Sequence, residues 1–117
     1  MFFKRSGFKK HTLKRDGEPE LQFAGRLLAR VDIGIYDKFL GAKRAQEQIE
    51  IYTTSSGEYV VALFKRYDFN RALVCQSSEA VAAVLREEPA LGRLKKQALE
   101  EAAKKDPSFA ALAESYR

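Results

Sequence analysis

The chain has 117 residues, of which 45% are hydrophobic and 32% charged, and a formal net charge of +5. That length suits a single domain around one core, and the composition is too apolar for a disordered chain. No run approaches the ~18 to 20 apolar residues of a membrane span, and Met1-Phe2-Phe3-Lys4-Arg5 has no apolar leader stretch after its charges, so the sequence reads as cytoplasmic.

Residues 1–16 hold Lys4, Arg5, Lys9, Lys10, Lys14 and Arg15 against Asp16 alone, which accounts for the whole net charge. Residues 1–7 read as a basic aromatic arm, and 8–14 as a first strand whose lysines suit a sheet edge. Asp16-Gly17 is expected to form a tight two-residue turn with two positive φ values. In 20–33 the odd positions Leu21, Phe23, Gly25, Leu27, Ala29, Val31 and Ile33 are apolar, and period two predicts a second strand that buries them on one face. Gly34 to Arg44 reads as the one long loop. A third strand over 46–54 carries Ile49, Ile51 and Thr53 on one side. Ser55-Ser56-Gly57 then turns the chain into a fourth strand, 58–65, where Val60 to Phe64 are apolar on both faces, as in a strand covered on both sides. Tyr67-Asp68-Phe69-Asn70 supplies a turn before a fifth strand, 71–76, which contains the lone Cys75.

The period changes after Ser77-Ser78, either of which can cap a helix over 78–87 with Val81, Val84 and Leu85 on one face. Pro89 opens a helix over 90–104 with a stripe of Leu91, Leu94, Ala98 and Ala102. Asp106-Pro107 caps a last helix, 107–116, with Phe109, Leu112, Ala113 and Tyr116 on one side. The expected architecture is α+β: an antiparallel meander of about five strands with two or three C-terminal helices packed on it.

Few residues suggest chemistry. One histidine and one cysteine, His11 and Cys75, lack an evident catalytic partner, and a zinc site needs more ligands than these. His11 reads as an exposed side chain, and Cys75 as a small buried hydrophobe. Glu87-Glu88 and Glu100-Glu101 read as solvated helix faces, while Glu47 and Glu50 point to opposite sides of a strand. There is no phosphate-cradling glycine loop, so no cofactor is indicated and the protein reads as non-catalytic.

In a meander the start of strands one, three and five and the end of strands two and four share one edge of the sheet. That edge is expected to gather Lys4, Arg5, Lys9, Lys10, Lys38, Lys43, Arg44, Lys65, Arg66 and Arg71 with Tyr36 and Tyr67, leaving Asp16, Glu18, Glu20 and Glu58 at the other. Cations interleaved with aromatics can neutralise phosphates and stack bases, so the edge suits nucleic acid, with Lys43, Arg44, Lys65, Arg66 and Arg71 at its centre. The same residues suit an acidic protein surface instead, as in an inhibitor of a host enzyme or defence complex.

The run Arg15-Asp16-Gly17-Glu18-Pro19-Glu20-Leu21-Gln22-Phe23-Ala24-Gly25-Arg26-Leu27-Leu28-Ala29, followed by Glu50-Ile51-Tyr52-Thr53-Thr54 and Gly57-Glu58-Tyr59-Val60-Val61, resembles small uncharacterised proteins of bacterial plasmids and phages. The resemblance spans roughly residues 12–105. It implies a mobile-element setting and carries no catalytic motif.

Overall fold

The computed structural model describes residues 7–116. The expected arm through residue 6, with Lys4 and Arg5, lies outside them. Five strands, β1 (Lys9–Arg15), β2 (Glu18–Asp37), β3 (Ala42–Thr54), β4 (Tyr59–Lys65) and β5 (Phe69–Cys75), form one antiparallel sheet in chain order. Helices α1 (Ser78–Glu87) and α2 (Leu94–Ala103) follow, and then a 3₁₀ turn, Pro107–Phe109, runs into α3 (Ala110–Ser115). This is the expected α+β meander. β1 is an edge strand, and Val60 and Val61 of interior β4 are both fully buried.

The strand pattern departs from a simple period of two inside β2. Leu27 pairs with Tyr52 but Ala29 with Ile51, so Leu28 is an extra residue bulged out of the ladder. Leu28 and Ala29 are consecutive, yet both are buried in the core shared with the helices. The bulge exchanges the two faces of the strand. Before it, Phe23 and Leu27 share the face of Tyr52; after it, Ala29 and Val31 share the face of Ile51 and Ile49. The odd positions from Leu21 to Ile33 therefore do not line one face as expected. A period-two reading cannot detect a one-residue insertion when both neighbours, Leu27 and Leu28, are apolar.

β1 pairs only with the first part of β2, from Lys9 opposite Gly25 to Arg15 opposite Glu18, whereas β3 pairs with β2 from Gly25 onward. The hairpin of β1 and early β2 thus folds across the sheet face opposite the helices. His11, Phe23 and Tyr52 pack as a ring cluster with centroids 4.6 to 5.3 Å apart. Gly25 has no room for a side chain there: a Cβ would lie 2.6 Å from the Phe23 ring. The hairpin turn is pinned to β5, because the Asp16 N–H donates to the Asn70 carbonyl at 2.9 Å and the Asn70 N–H donates to Asp16 Oδ2 at 2.7 Å. In this turn only Gly17 takes positive φ, at 72°, and a register shift between Leu13 and Arg15 replaces the expected pair of left-handed residues.

The segment Gly34 to Arg44 is not a loop. β2 and β3 remain paired to Asp37 and Ala42, while the pairing of β3 with β4 ends at Glu47, so residues beyond that level project as a two-stranded ribbon. Its turn is held by Asp37, whose Oδ1 accepts from the N–H groups of Phe39 and Leu40, and by Gly41 at φ 65°. Both faces of the ribbon are largely uncovered, so its sequence carries no burial pattern to betray the strands.

On the other side Ile49, Ile51, Val61, Leu63 and Cys75 meet Val81, Leu85, Leu94, Ala98, Leu99, Ala102 and Phe109. Ser77 caps α1 through the N–H of Ala80, and Asp106 accepts from the N–H of Ser108 and from the hydroxyl of Tyr59. α2 starts at Leu94 and not at Ala90, because Leu91 and Gly92 take positive φ values of 73° and 44° in the preceding turn. Leu91 still joins the buried stripe. Burial pushes the Cys75 thiol above its ordinary pKa. Native protein should react with a thiol reagent only as fast as it opens, and Cys75→Val should cost less than about 1.5 kcal/mol. Rapid labelling of the folded protein would contradict this structural role.

Candidate functional site

The ribbon carries the largest uncovered apolar group of the described residues: Ile33, Ile35, Tyr36, Phe39 and Leu40 are all exposed, Phe39 to 94%. Tyr67, 96% exposed at φ 66° in the turn between β4 and β5, stands at the same end of the sheet, where the Arg66 side chain reaches the ribbon base. Two of the expected ligand cations also lie on the ribbon, Lys43 opposite Tyr36 and Arg44 opposite Ile35. Each has an internal acid: Lys43 lies 3.5 Å from Asp32, and Arg44 lies 3.4 Å from Asp37. Desolvation raises the Asp37 carboxyl, but the N–H groups of Leu40 and Phe39 and the guanidinium of Arg44 outweigh it and hold the pKa below the ordinary value.

The remaining expected residues divide. Arg66 donates through Nε and Nη2 to the Ala45 carbonyl at 3.0 and 2.8 Å, and its guanidinium lies 5.9 Å from the Tyr67 ring centre. Lys65 sits opposite Glu47, at the same end. Arg71 turns away onto the helix-side face, where it stacks 4.3 Å over Phe69 and approaches Glu88 Oε1 at 2.9 Å. Lys9 and Lys10 are not at this end at all. They face Gly25 and Ala24, at the level where β3 finishes, and it is the other end of β1, with Asp16, that comes to the β4–β5 turn. The expected segregation of charge fails for this reason: it assumed a flat sheet with β1 in register with all its neighbours.

Two carboxylates escaped the sequence reading. Glu88, expected on a solvated helix face, is buried; its Oε2 accepts from the N–H of Ala90, while Oε1 meets Arg71 off the direction of a hydrogen bond. Glu50 is buried in β3 on the face away from the helices and accepts from Arg30 Nε at 2.7 Å and from the Tyr52 hydroxyl at 3.0 Å. His11, expected to be exposed, is half-buried against Phe23 and Tyr52, with Nε2 3.1 Å from the Gly25 carbonyl oxygen. Its face of the sheet forms a cleft of about 340 Å³ between β1 and strands β3 to β5, lined by Thr12, Leu13, Lys14, Gln48, Glu50, Phe64, Arg66 and Asn70 among others. Gln48 and Glu50 alternating with Ile49 and Ile51 are the sequence signal for a polar face here.

Among the described residues no group of three His, Cys, Asp or Glu side chains is placed to hold a metal ion, and no helix is long and apolar enough to cross a membrane. Comparison with family models, curated proteins and solved structures finds no match.

Arg71→Ala should destabilise the fold by about 2 kcal/mol because it strands a buried carboxylate, whereas Arg44→Ala should cost less than about 1 kcal/mol. Chemical denaturation of both variants and of an Arg71/Glu88 double-mutant cycle checks the difference. Tyr52 gives a pH signature. Burial, then the charge of Glu50 and the hydrogen bond to it, push its phenol from 10.0 up to about 12. A raised folded pKa stabilises the fold fully below the unfolded value near 10 and loses that contribution as pH rises toward 12. Tyr52→Phe should therefore flatten the loss of stability in that alkaline window.

Proposed function

We propose that this chain is a non-catalytic binding module that docks a protein partner through the β2–β3 ribbon, in the setting of a bacterial mobile element and in the cytoplasm. The observation that carries the reading is the combination on the ribbon of exposed Ile33, Ile35, Tyr36, Phe39 and Leu40 with two cations, Lys43 and Arg44, already paired to Asp32 and Asp37. Paired charges offer less to a polyanion, while an apolar projection rimmed by balanced charge is the composition of a protein interface. An inhibitor of a host enzyme or defence complex is a partner relation of this kind: a narrow ribbon reaches into a concave site that a flat sheet face cannot enter.

Nucleic acid at the same end is the second reading. Lys38, Lys65 and Arg66 form no ion pair among the described residues, and Tyr36 and Tyr67 stand exposed beside them. Salt separates the two. Affinity for a protein should change little between about 50 and 200 mM salt, whereas affinity carried by several phosphate contacts should fall by orders of magnitude.

Phe39→Ser with Leu40→Ser alters only exposed side chains and should leave thermal unfolding unchanged. It should lower affinity for a protein partner captured from the source cell at least tenfold, with binding insensitive to nuclease treatment. Undiminished binding by this double variant would defeat the ribbon reading.

A further inference from the structure

The ribbon leaves the cleft on the face opposite the helices unused, and the cleft has a chemical character of its own. Its floor is a cross-strand row in which Phe64 of β4 stands between Gln48 of β3 and Asn70 of β5. Strands lie about 4.8 Å apart, so the two amide side chains flank the aromatic ring at a separation that brackets a planar heterocycle laid on it. Phe64, Gln48 and Asn70 are all half-buried, and no hydrogen bond among the described residues engages either side-chain amide in the cleft.

The charge of the cleft is equally defined. Glu50, the one acid that lines it, is neutralised by Arg30 and accepts a hydrogen bond from the Tyr52 hydroxyl. Arg66 at one side is oriented by its two hydrogen bonds to the Ala45 carbonyl, which leave Nη1 uncommitted, and it has no carboxylate partner among the described residues. Lys14 of β1 lies on the rim, exposed and likewise unpaired among them. The cleft thus combines an aromatic floor, two amides able to donate and accept at ring edges and two cations without a carboxylate partner. Its volume lies in the range of roughly 300 to 1,000 Å³ typical of small-ligand sites.

We propose that this cleft binds a nucleotide unit, with its base on Phe64 between Gln48 and Asn70 and its phosphate held by Lys14 and Arg66. The unit belongs either to a free mononucleotide or to a single strand threading between β1 and β4. The inference does not rest on the ribbon reading, and variants of Phe39 and Leu40 leave the cleft untouched.

The test is an NMR titration of the full chain with adenosine and uridine monophosphates, ribose 5-phosphate, and an oligothymidylate of about eight nucleotides. Shifts centred on Phe64, Gln48 and Asn70 with the monophosphates support the free ligand. The same shifts with the oligonucleotide alone support the strand. Phe64→Leu keeps apolar volume but removes the stacking face and should weaken binding about tenfold, in line with the usual worth of one stacked base. Lys14→Glu reverses an exposed charge without touching the core and should weaken it comparably, so the inference stays testable if Phe64→Leu does not fold. Ribose 5-phosphate binding as tightly as the nucleotides would overturn the base contact. Absence of cleft shifts with every probe at millimolar concentration would overturn the site itself.

Discussion

One residue too many in the longest strand shapes this molecule. β2 has twenty residues and must serve two partners in succession, β1 along its first part and β3 along the rest. A strand that kept one face inward throughout would force both partners onto one flat sheet. The bulge at Leu28 exchanges the faces instead, so Phe23 and Leu27 serve an aromatic cluster on one side while Leu28, Ala29 and Val31 serve the helix core on the other. Extra twist at a bulge is its ordinary consequence, and here it carries β1 across the sheet until Asp16 reaches Asn70. The concave cleft exists because of that crossing. Beyond the bulge, β2 still outruns β4, and the surplus becomes the ribbon.

Charge follows the same geometry. Two acids enter the interior on opposite faces, Glu50 under the β1 hairpin and Glu88 beyond α1, and each binds an arginine that keeps much of its side chain in solvent. Burying a carboxylate is costly unless a cation and hydrogen bonds compensate, so Arg30 and Arg71 are committed to the fold before any ligand arrives. Lys43 and Arg44 are engaged too, though less tightly, by Asp32 and Asp37. What a basic sequence offers to a partner is therefore smaller than its count of cations; around the ribbon and the cleft, Lys14, Lys38, Lys65 and Arg66 are the ones that no carboxylate engages among the described residues.

The strand count, the helix stripe of Leu91, Leu94, Ala98 and Ala102, the caps at Ser77 and Asp106 and the burial of Val60 and Val61 were all legible from periodicity and capping chemistry. Those signals are local, confined to residues within one or two turns of each other. The cleft was not legible, because Lys14, Gln48, Phe64 and Asn70 come from four strands and their meeting depends on the fold-over at Leu28. The ribbon is not legible as paired strands, because strands that bury neither face leave no alternation. The burial of Glu88 is hidden for a related reason: its neighbour Glu87 is exposed, and only the turn at Ala90 and the reach of Arg71 from β5 distinguish the two.

A meander of this kind also orders its own assembly. Each strand pairs with the one before it in the chain, so the ladders can grow hairpin by hairpin at small loop-closure cost. Two contacts cannot form that way: the Asp16–Asn70 clasp spans 54 positions, and α2 must return to β2 from the far end of the chain. Contact order is thus low within the sheet and high at its seams. The search for the native state is concentrated in those late closures, and both seams meet on β2 and the hairpin that it makes with β1.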